Sequence, residues 1–576
     1  MTIAKLLADY AQGVTSPREV VFEALRGIEA GDPAIWISVC SREQLEGFLR
    51  RLEGESPETL PLFGVPFGIK DNIDLAGLPT TAACPAWKQF PEESAFAVGK
   101  LIEAGAIPMG KTNLDQFATG LVGVRSPYGV PQNPFHEDYI PGGSSSGSAV
   151  AVARGQVAFA LGTDTAGSGR VPASLNGLVG LKGSRGAISC RGVVPACRTL
   201  DCVSIFAQTC ADVERVWKVA SVYDREDAYA RPPGDPLAFS SKEFRFGVPS
   251  AEQLEFFGSQ EAAELFRQAV ARLQSLGGKA VPLDLGPFLE AARLLYEGPW
   301  VAERYAVIEE LLHSSPDEVL AVTRQIISGG GEAKVVEAFR AQYRLQELRR
   351  MAEDGLSEMD FFVTPTVGRA FTLHELEAEP VQRNSDLGYY TNYLNLLDLL
   401  GLAVPVGRGE DGMPWGVTLV AQPFSERALL EVGARFCAEE EDREADLPEG
   451  HVELLVCGAH MRGLDLNSQL TDRGAWFLRE TRTAPAYRFY KLPGGPPERP
   501  GLIRVEKGGR AIQVELWAMP LKRLGDFLAE IPSPLGLGRV ELAEGREVLG
   551  FLCENWIVSK AQDVTIMGSW RKLIKK

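Results

Sequence analysis

Along most of this chain, short apolar runs bounded by glycine, proline and hydroxyl residues alternate with stretches of helical character. Residues 14–30 and 41–52 read as helices. Residues 62–69, Leu-Phe-Gly-Val-Pro-Phe-Gly-Ile, read as a buried strand that ends at Lys70. Residues 148–153 (Ser-Ala-Val-Ala-Val-Ala) suit the first turns of a small-residue helix, and residues 156–161 suit a short buried strand or a tightly packed apolar segment. Proline at 172 fits the first turn of a further helix. Beyond these, residues 333–354 carry apolar positions at helical spacing, and 361–364 follow as a buried strand. Residues 402–406 and 416–420 suit later sheet strands, and 425–440 a helix. Strand-like pieces alternating with helices predict an α/β fold, a sheet flanked by helices.

The pattern changes at the acidic run 439–450, which reads as a solvated linker. Residues 451–576 are numerous enough to fold separately, and their alternating runs at 452–463 and 513–520 predict a smaller α+β domain. The expected organisation is therefore 1–438, a linker at 439–450, and 451–576. A chain of 576 residues with 45% hydrophobic content accommodates more than one core.

Composition narrows the function by exclusion. The net charge of −17 argues against a nucleic-acid surface, although the local field of a pocket can still favour an anion. No apolar run is long enough to span a bilayer, and residues 1–10 lack the apolar core of a secretory signal, so a cytoplasmic location is expected. The nine cysteines include no Cys-x-x-Cys pair, and the five histidines do not cluster with them. Reduced thiols, no metal and no organic cofactor are the expectation.

The chemistry concentrates in two hydroxyl-rich segments, residues 142–148 (Gly-Gly-Ser-Ser-Ser-Gly-Ser) and 162–170 (Gly-Thr-Asp-Thr-Ala-Gly-Ser-Gly-Arg). Their composition alone suits a flexible linker. They alternate with buried elements, however, and both stand at the entrances of helices, where free N–H groups favour an anion. Neither segment contains a histidine. A nucleophilic Ser168 therefore needs another base, and Lys70 can serve if burial depresses its pKa. A second serine from the first segment would relay the proton. The backbone N–H groups of Thr165, Ala166, Gly167 and Ser168 would form an oxyanion hole. Cys84 and Cys190 lack a basic partner and are set aside as nucleophiles.

Four motifs carry a family resemblance: Gly-Ile-Lys-Asp-Asn-Ile-Asp at 68–74, Gly-Lys-Thr-Asn-Leu-Asp-Gln-Phe at 110–117, Pro-Gly-Gly-Ser-Ser-Ser-Gly-Ser at 141–148, and the segment at 162–170. In this order they resemble the amidase signature enzymes up to about residue 435. The resemblance implies the amidase signature fold, a central mixed β-sheet flanked by helices. It also makes Lys70 the base, Ser144 the relay serine after a cis peptide bond, and Ser168 the nucleophile. Ser145 and Ser146 are left with loop hydrogen bonding and capping. Ala166 and Gly169 depart from the commoner Gly-Gly-Ser-Ile-Arg pattern, and Gly169 leaves more room beside the nucleophile. This variant is similar to the allophanate hydrolase branch, which releases ammonia from urea-1-carboxylate. Residues 296–305 resemble that branch's substrate segment, which implies that Tyr296 and Arg304, eight positions apart, contact the carboxylated substrate.

Residues 451–576 resemble the C-terminal domain of allophanate hydrolases, related to the gamma-glutamyl cyclotransferase-like fold. The resemblance implies decarboxylation of N-carboxycarbamate there, with His460 and Glu515 as candidate groups. It further implies a homodimer and leaves room for association with a urea carboxylase or related pathway enzyme. Two alternatives stay open. One is an amidase of another small amide or an amidotransferase-like, ammonia-delivering subunit. The other is a non-catalytic C-terminal interaction domain.

Overall fold

The apolar runs of the first part pair into one large mixed sheet. The computed structural model describes residues 1–232, 239–442, 450–543 and 545–574. It divides into two units, Met1–Glu441 and Asp442–Lys576. In the first, the described strands are β1 (Trp36–Val39), β2 (Pro66–Lys70), β3 (Ile107–Thr112), β4 (Phe159–Asp164), β5 (Val179–Lys182), β6 (Cys202–Ala207), β7 (Phe244–Pro249), β8 (Gly278–Leu283), β9 (Phe361–Pro365), β10 (Leu400–Arg408) and β11 (Pro414–Ala421). They lie in the order β1-β3-β2-β4-β6-β5-β10-β11-β9-β7-β8. A central mixed sheet with flanking helices is the arrangement that the amidase signature resemblance implies.

The middle strands β2, β3, β4, β5 and β6 are buried along their whole length, as expected of strands covered on both faces. Phe67 and Phe159 stack across β2 and β4 with ring centroids 5.0 Å apart. Strands β2 and β4 run parallel, with Ile69 opposite Leu161. Their carboxyl ends therefore lie side by side, which brings Lys70 next to Thr163 and Asp164. A sheet of this kind places its ligand groups outside the carboxyl ends of its parallel strands.

The small-residue helix spans Ser146–Ala153 and is buried from Ser146 to Val152. The five-residue helix Val171–Leu175 carries its proline in the first turn, and the amphipathic stretch folds as Val335–Leu356. The last helix of this unit runs Glu426–Asp442, so the first four positions of the acidic stretch are helical. Its positions 443–449 lie outside the described residues. No described helix is long and apolar enough to cross a membrane.

The second unit holds β12 (His451–Val456), β13 (Trp476–Arg482), β14 (Tyr487–Lys491), β15 (Pro500–Arg504), β16 (Gln513–Pro520), β17 (Leu535–Glu541), β18 (Glu547–Cys553) and β19 (Gln562–Asp563). A five-stranded sheet runs β13-β16-β12-β18-β17, and a three-stranded sheet runs β15-β14-β19. The alternation expected of 513–520 is absent from the burial pattern. Strand β16 is buried from Val514 to Pro520 because it is an inner strand, covered on both faces.

Candidate active site

Lys70, the last residue of β2, is fully buried. Its Nζ donates to Ser144 Oγ at 2.8 Å and to Thr163 Oγ1 at 2.8 Å. Ser144 Oγ in turn lies 2.9 Å from Ser168 Oγ. One unbroken hydrogen-bonded chain thus joins three side chains from three separate segments. The peptide between Gly143 and Ser144 is cis. Burial pushes the Lys70 ammonium down to about 7, against the opposing charges of Asp115, Asp201 and Asp164 and with help from Arg304.

The nucleophile segment is tied down by the carboxylate that ends β4. Asp164 pairs with Arg170 through Oδ2 to Nε at 2.9 Å and Oδ1 to Nη2 at 3.0 Å, both side chains being fully buried. It also accepts the N–H groups of Gly167 (2.9 Å) and Gly169 (3.0 Å). Burial alone would raise the Asp164 carboxyl, but the adjacent Arg170 guanidinium outweighs it and holds the group below the usual carboxylate range. The expected oxyanion set therefore needs a correction. The Gly167 N–H is already committed to Asp164, whereas those of Thr165, Ala166 and Ser168 make no hydrogen bond among the described residues.

Gly167 is required for its conformation: its φ is +133°, and a Cβ there would lie 2.4 Å from Thr391 Oγ1. Gly169 does not open space beside the nucleophile, because a Cβ on it would meet Ser204 Cβ at 2.5 Å. The missing side chain is the room Ser204 occupies. Of the neighbouring serines, Ser145 accepts from the Thr163 N–H (3.4 Å) and donates to the Thr163 carbonyl (3.2 Å), but its side chain makes no helix cap. Ser146 Oγ is buried without a hydrogen-bond partner among the described residues.

Arg304 lies on the helix Val301–Ser314, is 3% exposed, and donates through Nη1 to Thr119 Oγ1 (3.0 Å) and the Ala118 carbonyl (3.3 Å). Its guanidinium stands 5.6 Å from the centre of the Tyr296 ring. Burial would lower its pKa, but Tyr296, Cys197, Asp201 and Glu303 reverse the shift and raise it. Arg304 is also felt at Lys70. The arrangement combines a serine–serine–lysine hydrogen-bonded chain, a buried cation whose charge reaches Lys70, and N–H groups that make no hydrogen bond among the described residues.

Comparison with known proteins decides the family. Residues 19–430 match the sequence profile described as Amidase. The chain belongs to the amidase family. Residues 452–575 match the allophanate hydrolase C-terminal domain. The chain is 42% identical over 574 residues to a urea amidolyase of Lachancea kluyveri, covering 94% of this chain but 31% of that protein. The chain thus spans about a third of the length of that relative. A urea amidolyase of Saccharomyces cerevisiae is 41% identical over 575 residues, with the same 94% and 31% covered. The structure of selenomethionine-substituted Kluyveromyces lactis allophanate hydrolase superposes with a TM-score of 0.73 at 40% identity, covering 100% of this chain and 99% of that one.

In the second unit, His460 lies beyond the end of β12 and lines a cavity with Cys457, Gln469, Arg499 and Glu530. Its Nε2 is 2.9 Å from Gln469 Oε1, and its ring stacks on Phe551 at 5.0 Å. Burial pushes the imidazole below its ordinary pKa. Glu515 is engaged elsewhere. Its carboxylate accepts the Arg462 N–H (2.9 Å), Trp517 Nε1 (3.2 Å) and Arg571 Nη2 (2.8 Å). The two candidate groups do not share the His460 cavity.

Thr163, Asp115 and Asp201 are site residues that the sequence did not single out. Asp115 sits in the motif at 110–117, accepts the N–H groups of Val122, Gly123 and Arg125, and contributes the largest of the charges opposing the depression of Lys70. Its place within that motif was the available signal. Asp201 had none, because it reaches the site from a turn outside every motif.

Proposed function

We propose that this amidase hydrolyses allophanate through a Ser-Ser-Lys device. Ser168 Oγ attacks the terminal amide carbonyl while its proton passes to Ser144, whose own proton passes to neutral Lys70. The N–H groups of Thr165, Ala166 and Ser168 stabilise the oxyanion of the tetrahedral intermediate. Lys70 returns the proton through Ser144 to the leaving nitrogen, and ammonia departs. Water then attacks the carbamoyl-type ester with the same relay acting as base, which frees Ser168 and N-carboxycarbamate. Arg304 and Tyr296 hold the substrate carboxylate, a role suited to a buried guanidinium. In the second unit, residues 451–576, N-carboxycarbamate loses carbon dioxide, with His460 as the first group to test and Glu515 the second. We further propose that the chain acts in the cytoplasm as a homodimer, alongside a urea carboxylase or related enzyme that supplies the substrate.

The observation that carries this reading is the buried Lys70–Ser144–Ser168 chain on the same polypeptide as a match to the allophanate hydrolase C-terminal domain. The test compares ammonia release from allophanate, a plain carboxamide and glutamine. A kcat/KM preference for allophanate is expected, and its absence overturns the substrate. Ser168→Ala should lower turnover roughly a thousandfold or more. Full turnover in that variant overturns the mechanism.

A further inference from the structure

Asp201 immediately precedes β6 and is 6% exposed. Its carboxylate faces two ways. Inward, Oδ1 accepts the hydroxyl of Thr165, the first residue after β4 and the first N–H of the oxyanion segment. Outward, Oδ2 accepts the Ala196 N–H at 2.8 Å and Oδ1 the Cys197 N–H at 3.2 Å, which closes the turn 196–201 around the carboxylate.

The same turn grips the helix that carries Arg304. The Thr199 N–H and hydroxyl both donate to Glu303, the N–H at 3.0 Å, and Cys197 Sγ donates to the Trp300 carbonyl at 3.5 Å. Asn395 adds a brace, donating to the Asp164 carbonyl (2.8 Å) and the Leu200 carbonyl (2.9 Å). The oxyanion segment and the cationic helix are thus joined through one small turn, and Asp201 is the group both halves share.

We propose that Asp201 is a positioning residue for the hydrolytic step. It fixes the Thr165 N–H relative to Ser168 and to the Arg304 helix, and it supplies a buried negative charge felt by both Lys70 and Arg304. This inference rests on the Ser-Ser-Lys reading above. A carboxylate suits the task because it can accept the Thr165 hydroxyl and two N–H groups at once, which an amide side chain matches only in part. Burial pushes the Asp201 carboxyl up to about 6, and above that value its charge opposes the depression of Lys70. The other charged groups facing Lys70 are Asp115 from the loop after β3, Asp164 from the end of β4 and Arg304 from its helix. Removing Asp201's charge alone therefore makes Lys70 easier to deprotonate.

The test uses the full chain with Asp201→Asn, Thr165→Val, Thr165→Ser and the Asp201→Asn/Thr165→Val double variant, assayed for ammonia release. Thr165→Val keeps the N–H and removes only the hydroxyl. Each of the first two should lower kcat on the order of tenfold or more, with KM changing less than about threefold. The double variant should be no slower than the slower single one, because Thr165→Val removes the contact that Asp201→Asn weakens. Thr165→Ser should restore kcat. The acid limb of the kcat/KM profile should move to lower pH in Asp201→Asn and stay in place in Thr165→Val.

A kcat within about twofold of the parent in Thr165→Val overturns the proposal, as do fully multiplicative effects in the double variant. The Thr165 arm decides the matter even if Asp201→Asn does not fold. Ser168→Ala is measured in parallel. Turnover in Ser168→Ala would sink the Ser-Ser-Lys reading itself, whereas an inactive Ser168→Ala beside fully active Thr165→Val would sink only the role given to Asp201.

Discussion

Burial suits Lys70 to the proposed role of base. Its pKa of about 7 means that a large share of the side chain is neutral near neutrality. Below that value Lys70 gains a proton and the relay loses its acceptor. The kcat/KM profile should therefore fall about tenfold per pH unit on the acid side of about 7 and level off above it, as a pH–rate series would register. A profile flat between pH 5 and 8 would exclude Lys70 as the group titrating. Arg304 makes a different prediction. A charge-assisted contact to a substrate carboxylate contributes about 1.5–3 kcal/mol. Arg304→Met should thus raise KM for a carboxylated amide about 10- to 100-fold and leave a neutral amide nearly unaffected. Equal losses on both substrates would remove the guanidinium from substrate recognition.

The site is made at the ends of elements rather than within them. Strand β2 delivers Lys70, β4 delivers Thr163 and Asp164, and the segment between β4 and the helix Val171–Leu175 presents Ser168. Asp164 and Arg170 bracket that segment as a fully buried ion pair. Truncating one partner strands the other charge without a counter-ion, which costs about 3–5 kcal/mol. Asp164→Ala should therefore shift the chemical-denaturation midpoint of the first unit sharply downward, as well as abolishing activity. A midpoint unchanged within error would mean that Arg170 finds another partner. Part of the fold was legible: the apolar run Phe159 to Leu161 folds as a strand covered on both faces, whereas β5 to β8 were not singled out, because short runs do not by themselves separate a buried strand from other packed segments. The commitment of the Gly167 N–H was not legible. It depends on where the Asp164 carboxylate points, and a motif does not encode a side-chain direction.

At the scale of the whole molecule, the two units divide the proposed reaction between them. A chain truncated after Glu441 should release ammonia at close to the full-length rate but lose any acceleration of carbon dioxide release, measured by coupled assays on the same sample. His460→Ala in the full chain should reproduce that split, and equal carbon dioxide rates in all three proteins would make the second unit non-catalytic. The sequence by itself determined the α/β alternation and a C-terminal segment set apart by its pattern, and it pointed to Lys70, Ser144 and Ser168 as candidate groups. Local order along the chain carries that information: apolar period, turn residues and motif spacing are properties of neighbours. Only the tertiary structure decided that Asp115 and Asp201 face Lys70, that Ser204 fills the space beside Gly169, and that Glu515 is tied to Arg462 and Arg571 away from His460. Those groups meet across tens or hundreds of residues, through the pairing of parallel strands and the packing of turns. Long-range contact and the electrostatics that burial imposes arise only once the chain has closed on itself.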